Sequence, residues 1–89
     1  MVTSIILMNV KRDQVGETAE QLAALPEISE AYSVSGRYDL IAVVRVKTND
    51  ELAELVTERL AKIAAIEKTD TLLAFKAYSK HDLEAMFDL

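Results

Sequence analysis

The sequence has no cysteine and no tryptophan, and it has one proline, one histidine and two glycines among its 89 residues. Without cysteine the chain can form neither a disulfide framework nor a thiolate metal site. The single histidine, His81, has no partners at metal-ligand spacing, so we expect no metal and no cofactor. The chain also lacks a Ser-His-Asp set and a glycine-rich phosphate loop, which acid–base or nucleophilic chemistry commonly uses. We therefore expect that the protein is not an enzyme.

Positive charge is also scarce. The chain has 10 Lys and Arg residues against 15 Asp and Glu residues, which gives a net charge of −5 at pH 7. Nucleic-acid phosphates attract clustered Lys and Arg, so direct nucleic-acid binding is not expected. The apolar stretch 2–10 is too short to span a bilayer, and it has neither a basic start nor a small-residue cleavage pattern after it. These features predict a soluble, cytoplasmic protein that makes no contact with a membrane.

Hydrophobic periodicity predicts six elements in the order strand, helix, strand, strand, helix, strand. They are a strand at 2–10, a helix capped by Asp13 and ended by Pro26, strands at 28–35 and 40–46, a helix from a Thr48–Glu51 capping box to about residue 64, and a strand at 69–77. This order is typical of ferredoxin-like domains, an α+β class in which two helices cover one face of a four-stranded antiparallel sheet. In the last strand, Leu72, Leu73 and Phe75 are the candidate core residues.

The predicted strands carry more aliphatic residues than one sheet face requires. These residues are Ile5, Leu7, Leu40, Ile41, Val43, Val44, Leu72 and Leu73. A bare apolar face is an association surface, because large exposed apolar patches are uncommon in monomers. We therefore expect a dimer formed through the sheets; the alternative is that the extra residues only widen a monomer core. The segment 80–89 has Leu83, Met86 and Phe87 at helical spacing, which predicts a short amphipathic helix that docks on its own domain or on a neighbouring subunit.

Two stretches of the sequence carry a family pattern. One is EISEAYSVSGRYDLIAVVRV, in which Ser35-Gly36-Arg37-Tyr38-Asp39 forms the turn between two strands; the other is IAAIEKTDTLLAFKAYS, a hydrophobic helix end followed by a Thr-x-Thr strand. Their order and spacing resemble the effector-binding (RAM) domain of the Lrp/AsnC, or feast/famine, transcription regulators. Together they cover nearly all of the chain, so the resemblance implies one effector-binding and oligomerisation domain over residues 1–89.

The resemblance implies a specific assembly and a specific ligand class. Domains of this family dimerise through their sheets, the dimers assemble into rings, often octamers of four dimers, and a small effector, usually an amino acid, binds between dimers. Matched by position, Gly36, Tyr38 and Asp39 of the hairpin and Thr69 and Thr71 of the last strand lie at that effector site. In this arrangement the Asp39 carboxylate accepts hydrogen bonds from the ligand's ammonium group. Backbone amides near Gly36 can approach the ligand's carboxylate closely, because glycine has no Cβ.

The start of the chain differs from the family pattern. Full-length members begin with a helix-turn-helix domain, whereas this sequence begins at Met1 in its first predicted strand. The resemblance therefore implies a stand-alone domain without a helix-turn-helix part. Such a domain either modulates full-length relatives by co-assembly or senses an amino acid for another partner.

Other interpretations fit the same residues. Gly36 can be a glycine that only the turn requires, and Asp39 can be a side chain that only caps nearby amides. Thr69 and Thr71 can be ordinary strand residues. Two rival functions stay open on this basis. One is a ligand-free structural assembly module, and the other is a small dimeric α+β-barrel enzyme.

Overall fold

The computed structural model describes residues 1–78 and has the predicted ferredoxin-like α+β architecture. Its elements are β1 (Val2–Val10), α1 (Val15–Ala23), β2 (Ile28–Ser33), β3 (Leu40–Val46), α2 (Asn49–Glu54) and β4 (Ile66–Leu73). A 3₁₀ turn (Arg12–Gln14) precedes α1, and α2 runs on into a π-helical turn (Leu55–Arg59) and a 3₁₀ turn (Leu60–Lys62). The predicted C-terminal helix at 80–89 and His81 lie outside the described residues.

The four strands form one antiparallel sheet in the order β2-β3-β1-β4. In the two central strands Ile6 pairs with Ala42, and on the other side of β1 it pairs with Thr71. A β-bulge interrupts the pairing of β1 with β4 after Asn9. Because side chains alternate along each strand, this register fixes which residues share a face.

One sheet face carries the core. Its side chains pack with Leu22 of α1 and with Leu55 and Leu60 of the second helical segment. The buried strand residues are Ser4, Ile6, Met8, Val10, Ile28, Leu40, Ala42, Val44 and Val46. In β1 and β3 they fall at every second position, as expected for strands covered on one side.

Within residues 1–78 no helix packs on the opposite face, and we call it the open face. Its strand residues are Thr3, Ile5, Leu7, Asn9, Glu30, Tyr32, Ile41, Val43, Arg45, Lys68, Asp70 and Leu72, as the strand register places them. Ile5, Leu7, Ile41 and Val43 are half-buried, whereas their immediate neighbours on the core face are fully buried. The open face therefore has an aliphatic centre, with charged and polar side chains around it.

The two helix starts differ from each other. Thr48 caps α2 as predicted, because its hydroxyl accepts a hydrogen bond from the Glu51 amide at 3.1 Å. The Glu51 carboxylate accepts from the Lys47 amide at 3.0 Å, one residue earlier than in a standard capping box. The prediction that Asp13 caps α1 is wrong: Asp13 lies in the 3₁₀ turn, and Gln14 precedes the helix without a side-chain bond to it.

The predicted bounds and burial of the last strand are also wrong. β4 begins at Ile66 and ends at Leu73, and Leu72, Leu73 and Phe75 are exposed by 51%, 50% and 99%. The reason is that β4 is an edge strand, that Leu72 lies on its open face, and that Phe75 lies beyond its end. Apolar composition alone therefore does not place these side chains in the core.

Candidate functional site

The loop between β2 and β3, residues 34–39, is the region that the sequence singled out, and we call it the hairpin loop. Gly36 adopts a φ of +110°, which side-chain-bearing residues rarely adopt. The loop is closed by a hydrogen bond from the Val34 amide to the Asp39 carbonyl at 3.1 Å. Gly36 is therefore required by the turn itself, and it is exposed together with Arg37.

Asp39 holds the hairpin loop against the end of β1. Its Oδ2 accepts a hydrogen bond from the Val10 amide at 2.8 Å, and its own amide donates to the Met8 carbonyl at 2.9 Å. Val10 follows the β-bulge, where the pairing of β1 with β4 is irregular. The Asp39 side chain thus supplies an acceptor that the strand ladder does not, and such amides are rarely left unpaired. One of its two carboxylate oxygens has a structural role.

A second contact between the hairpin loop and β1 comes from Asn9. Its side-chain Nδ2 donates to the Arg37 carbonyl at 2.8 Å. The sequence analysis did not single out Asn9 as part of a site. The feature of the sequence that could have indicated this role is a polar side-chain amide at the end of an otherwise aliphatic strand.

Tyr38 connects the hairpin loop to β4. Its hydroxyl donates a hydrogen bond to Oδ2 of Asp70, which lies opposite Leu7 on the open face. The hydrogen bond to Asp70 raises the pKa of Tyr38, because the carboxylate favours the protonated phenol; desolvation adds to the shift. Sequence reasoning missed Asp70, since it is the unmatched middle residue of the Thr-x-Thr pattern.

Thr69 and Thr71 do not join the hairpin residues. They pair with Met8 and Ile6, whose side chains are fully buried on the core face, so they lie on the opposite side of β4 from Asp70. Thr71 is exposed, and Thr69 is half-buried in a groove of about 180 Å³ beside Val56 and Leu60. Within one chain the Tyr38 hydroxyl therefore meets Asp70, whereas Thr69 and Thr71 lie on the other side of β4.

The hairpin loop offers groups that suit a zwitterion. The exposed backbone at Gly36 and the exposed Arg37 guanidinium can donate hydrogen bonds to a carboxylate. The second carboxylate oxygen of Asp39 has lone pairs that can accept from an ammonium. Among residues 1–78 there is no cluster of three or more His, Asp or Glu side chains that could hold a metal ion. No helix in this part of the chain is both long and apolar enough to cross a membrane.

Comparison with known proteins places the chain in a family. The model of the Lrp/AsnC ligand binding domain matches residues 3–83. The HTH-type transcriptional regulator FL11 of Pyrococcus horikoshii is 32% identical over 77 residues, which cover 86% of this chain and 50% of FL11. The chain thus spans about half the length of the curated relatives that it matches.

Solved structures share the fold. TTHA0845 from Thermus thermophilus superposes with a TM-score of 0.83 at 41% identity, over 90% of this chain and 100% of that one. The complex of the Neisseria meningitidis transcriptional regulator NMB0573 with L-Met has a TM-score of 0.79 over 88% of this chain and 52% of that one. At 12% identity this second likeness shows the fold alone.

The curated relatives FL11 are named as HTH-type transcriptional regulators, in agreement with the expectation that this domain is not an enzyme. The family model covers both sequence signatures, the hairpin loop and β4. The chain belongs to the family of Lrp/AsnC ligand-binding domains.

Proposed function

We propose that this domain binds a free amino acid at the hairpin loop, and that it works as a cytoplasmic homo-oligomer assembled through the open face. Its role is to sense the amino acid and to modulate transcription through its assembly, either with copies of itself or with longer Lrp/AsnC relatives. A ring of dimers, such as an octamer, is the assembly that we expect. The observation that carries the proposal is the match of residues 3–83 to a ligand-binding domain.

The chemistry of the hairpin loop supports an amino acid as the ligand. An amino acid presents a carboxylate and an ammonium a few bonds apart, so its site needs donors and an anion close together. The loop has exposed donors at Gly36 and Arg37, and the Asp39 carboxylate follows two residues later. Burial between subunits strengthens such charge-assisted bonds, because water no longer screens them. We propose that Gly36, Tyr38 and Asp39 form one wall of the site, and that Thr69 and Thr71 of a neighbouring subunit contribute the other wall.

The open face supports self-association. Its centre is aliphatic, with Ile5, Leu7 and Val43 half-buried and Leu72 exposed by 51%. Tyr32 borders this centre and is exposed by 48%, and aromatic side chains of this kind are enriched at interfaces. Charged residues stand at the rim, including Glu30, Arg45 and Lys68. An apolar centre with a polar rim is the usual anatomy of a protein interface.

The test is a series of melting curves of the purified oligomer with each of the standard amino acids, beginning with L-methionine. A ligand at 100 times its dissociation constant stabilises the native state by about 2.7 kcal/mol, which raises the melting temperature measurably. N-acetyl-L-methionine is the matched control, because it keeps the side chain and carboxylate but lacks the ammonium. We expect a shift with at least one free amino acid and none with its N-acetyl form.

The second candidate is an assembly module without a ligand. It is favoured by one observation: the Tyr38 hydroxyl and one Asp39 oxygen are already used in bonds within the domain. Under that function no amino acid changes the melting temperature of the intact oligomer. The same experiment therefore decides between the two candidates.

A further inference from the structure

Asp70 is a carboxylate on the edge strand β4. It lies on the open face opposite Leu7, two residues before exposed Leu72, and it is half-buried. A carboxylate at the border of an apolar surface is unfavourable unless a donor satisfies it. That donor is the Tyr38 hydroxyl of the hairpin loop.

The Tyr38–Asp70 hydrogen bond differs from the other attachments of the hairpin loop. The bonds from Asn9 to Arg37 and from Val10 to Asp39 connect the loop with β1. Among residues 1–78, the bond between Tyr38 and Asp70 is the side-chain hydrogen bond that connects the loop with β4. Like the bond from Asn9, it joins the loop to a residue of the open face, but it does so on β4.

We propose that Asp70 is a positioning residue for the ligand site: it holds the Tyr38 ring against β4 and thereby sets the conformation of the hairpin loop. The inference rests on the proposed function, because the loop is the wall that it would shape for an amino acid. In this role Asp70 accepts a hydrogen bond from Tyr38. The role does not require the negative charge of Asp70 to contact the ligand. An asparagine at this position keeps a side-chain oxygen that can accept the same bond.

The chain provides a matched control for this role. Tyr32 donates a hydrogen bond to Glu30 on the same open face, at the opposite edge of the sheet. Both residues of that pair belong to β2, so the pair does not attach the hairpin loop to another strand. Tyr32→Phe removes a tyrosine–carboxylate bond of the same kind without releasing the loop.

The experiment compares the wild type with Tyr38→Phe, Asp70→Ala, Asp70→Asn, the double variant Tyr38→Phe/Asp70→Ala, and Tyr32→Phe. Hydrogen exchange of the amides in residues 34–39 is measured without ligand, and melting shifts are measured with a mixture of the standard amino acids. We expect exchange to speed up roughly five- to tenfold in Tyr38→Phe and Asp70→Ala, and no further in the double variant. We expect near-wild-type exchange in Asp70→Asn and in Tyr32→Phe.

The melting shifts should follow the same order, with a reduced shift in Asp70→Ala and a wild-type shift in Asp70→Asn. The proposal is overturned if Asp70→Ala leaves loop exchange unchanged. It is also overturned if Asp70→Asn loses the melting shift as fully as Asp70→Ala, since the charge would then contact the ligand directly. A wild type that shows no shift with the amino-acid mixture refutes the proposed function, whereas the exchange data still decide the positioning role of Asp70.

Discussion

Val43 and Val44 are consecutive residues of β3 whose side chains lie on opposite faces of the sheet. Val44 is completely buried in the core, whereas Val43 is half-buried on the open face. The two positions have the same residue type and the same strand environment, so they isolate the difference between the two faces. This difference is the structural basis of the assembly that we propose.

Lysine should affect the domain differently at Val43 and at Val44. We expect Val43→Lys to keep the fold and to dissociate the oligomer, because a charge then stands at the centre of the open face. We expect Val44→Lys to unfold the domain, since an unpaired buried ion is unfavourable by about 3 kcal/mol or more. Circular dichroism measures the fold and sedimentation velocity measures the oligomer. An oligomer of Val43→Lys with wild-type mass would show that the open face is not the interface.

The two glycines offer a second matched pair. An added Cβ meets no atom within 4 Å at Gly16 or at Gly36, but only Gly36 has a positive φ. We expect Gly16→Ala to stabilise the domain by roughly 0.5–1 kcal/mol. Residue 16 lies in α1, and alanine loses less backbone entropy than glycine when the unfolded chain forms a helix. We expect Gly36→Ala to destabilise it by about 1–3 kcal/mol through backbone strain. Urea unfolding measures both values, and a change of the same sign in both variants would contradict the role of the turn conformation.

Asp39 should tolerate asparagine better than alanine. Asp39→Ala removes the acceptor of the partly buried Val10 amide and should destabilise the domain by about 1–3 kcal/mol. Asp39→Asn keeps a side-chain oxygen for this amide, so its unfolding free energy should stay within about 1 kcal/mol of the wild type. Melting and urea curves of the two variants without ligand provide the measurement. Equal losses in both variants would mean that the charge of Asp39, rather than its hydrogen bond, stabilises the loop.

The pair formed by Tyr38 and Asp70 predicts a dependence of stability on alkaline pH. The hydrogen bond to Asp70 raises the pKa of Tyr38 in the folded state, so the folded state favours the neutral phenol. The stabilisation is fully present below the ordinary tyrosine pKa of about 10, and it is lost as the pH rises through the raised pKa.

The measurement is the difference in unfolding free energy between the wild type and Tyr38→Phe at several pH values. The difference should be constant near neutral pH and should shrink above about pH 10. Both proteins should carry Tyr32→Phe, because the hydrogen bond to Glu30 raises the pKa of Tyr32 in the same direction. A difference that grows with pH would show that the folded state favours the Tyr38 phenolate instead.

The sequence predicted the elements well where local patterns carry the information. The bounds of β1 and β3 agree with their aliphatic runs, and the capping hydroxyl of Thr48 and the positive φ at Gly36 follow from residue type and position. The errors lie where two local solutions compete and where tertiary position decides burial. The 3₁₀ turn replaced the helix cap that Asp13 suggested, and exposure of Phe75 contradicted its apolar character.

The sequence by itself determined the family, the order of the elements and the turn at Gly36, because periodicity, glycine conformation and the two signatures are local properties of the chain. Only the tertiary structure decided which residues meet. Asp39 contacts Val10 and Tyr38 contacts Asp70 across separations of 29 and 32 residues, while Thr69 and Thr71 lie on the other side of β4 from Asp70. Strand register sets these relationships, since a shift of one residue exchanges the two faces of a strand. The strand register is fixed when the core packs. It cannot be predicted from any single stretch of the sequence, because it depends on strands that are distant along the chain.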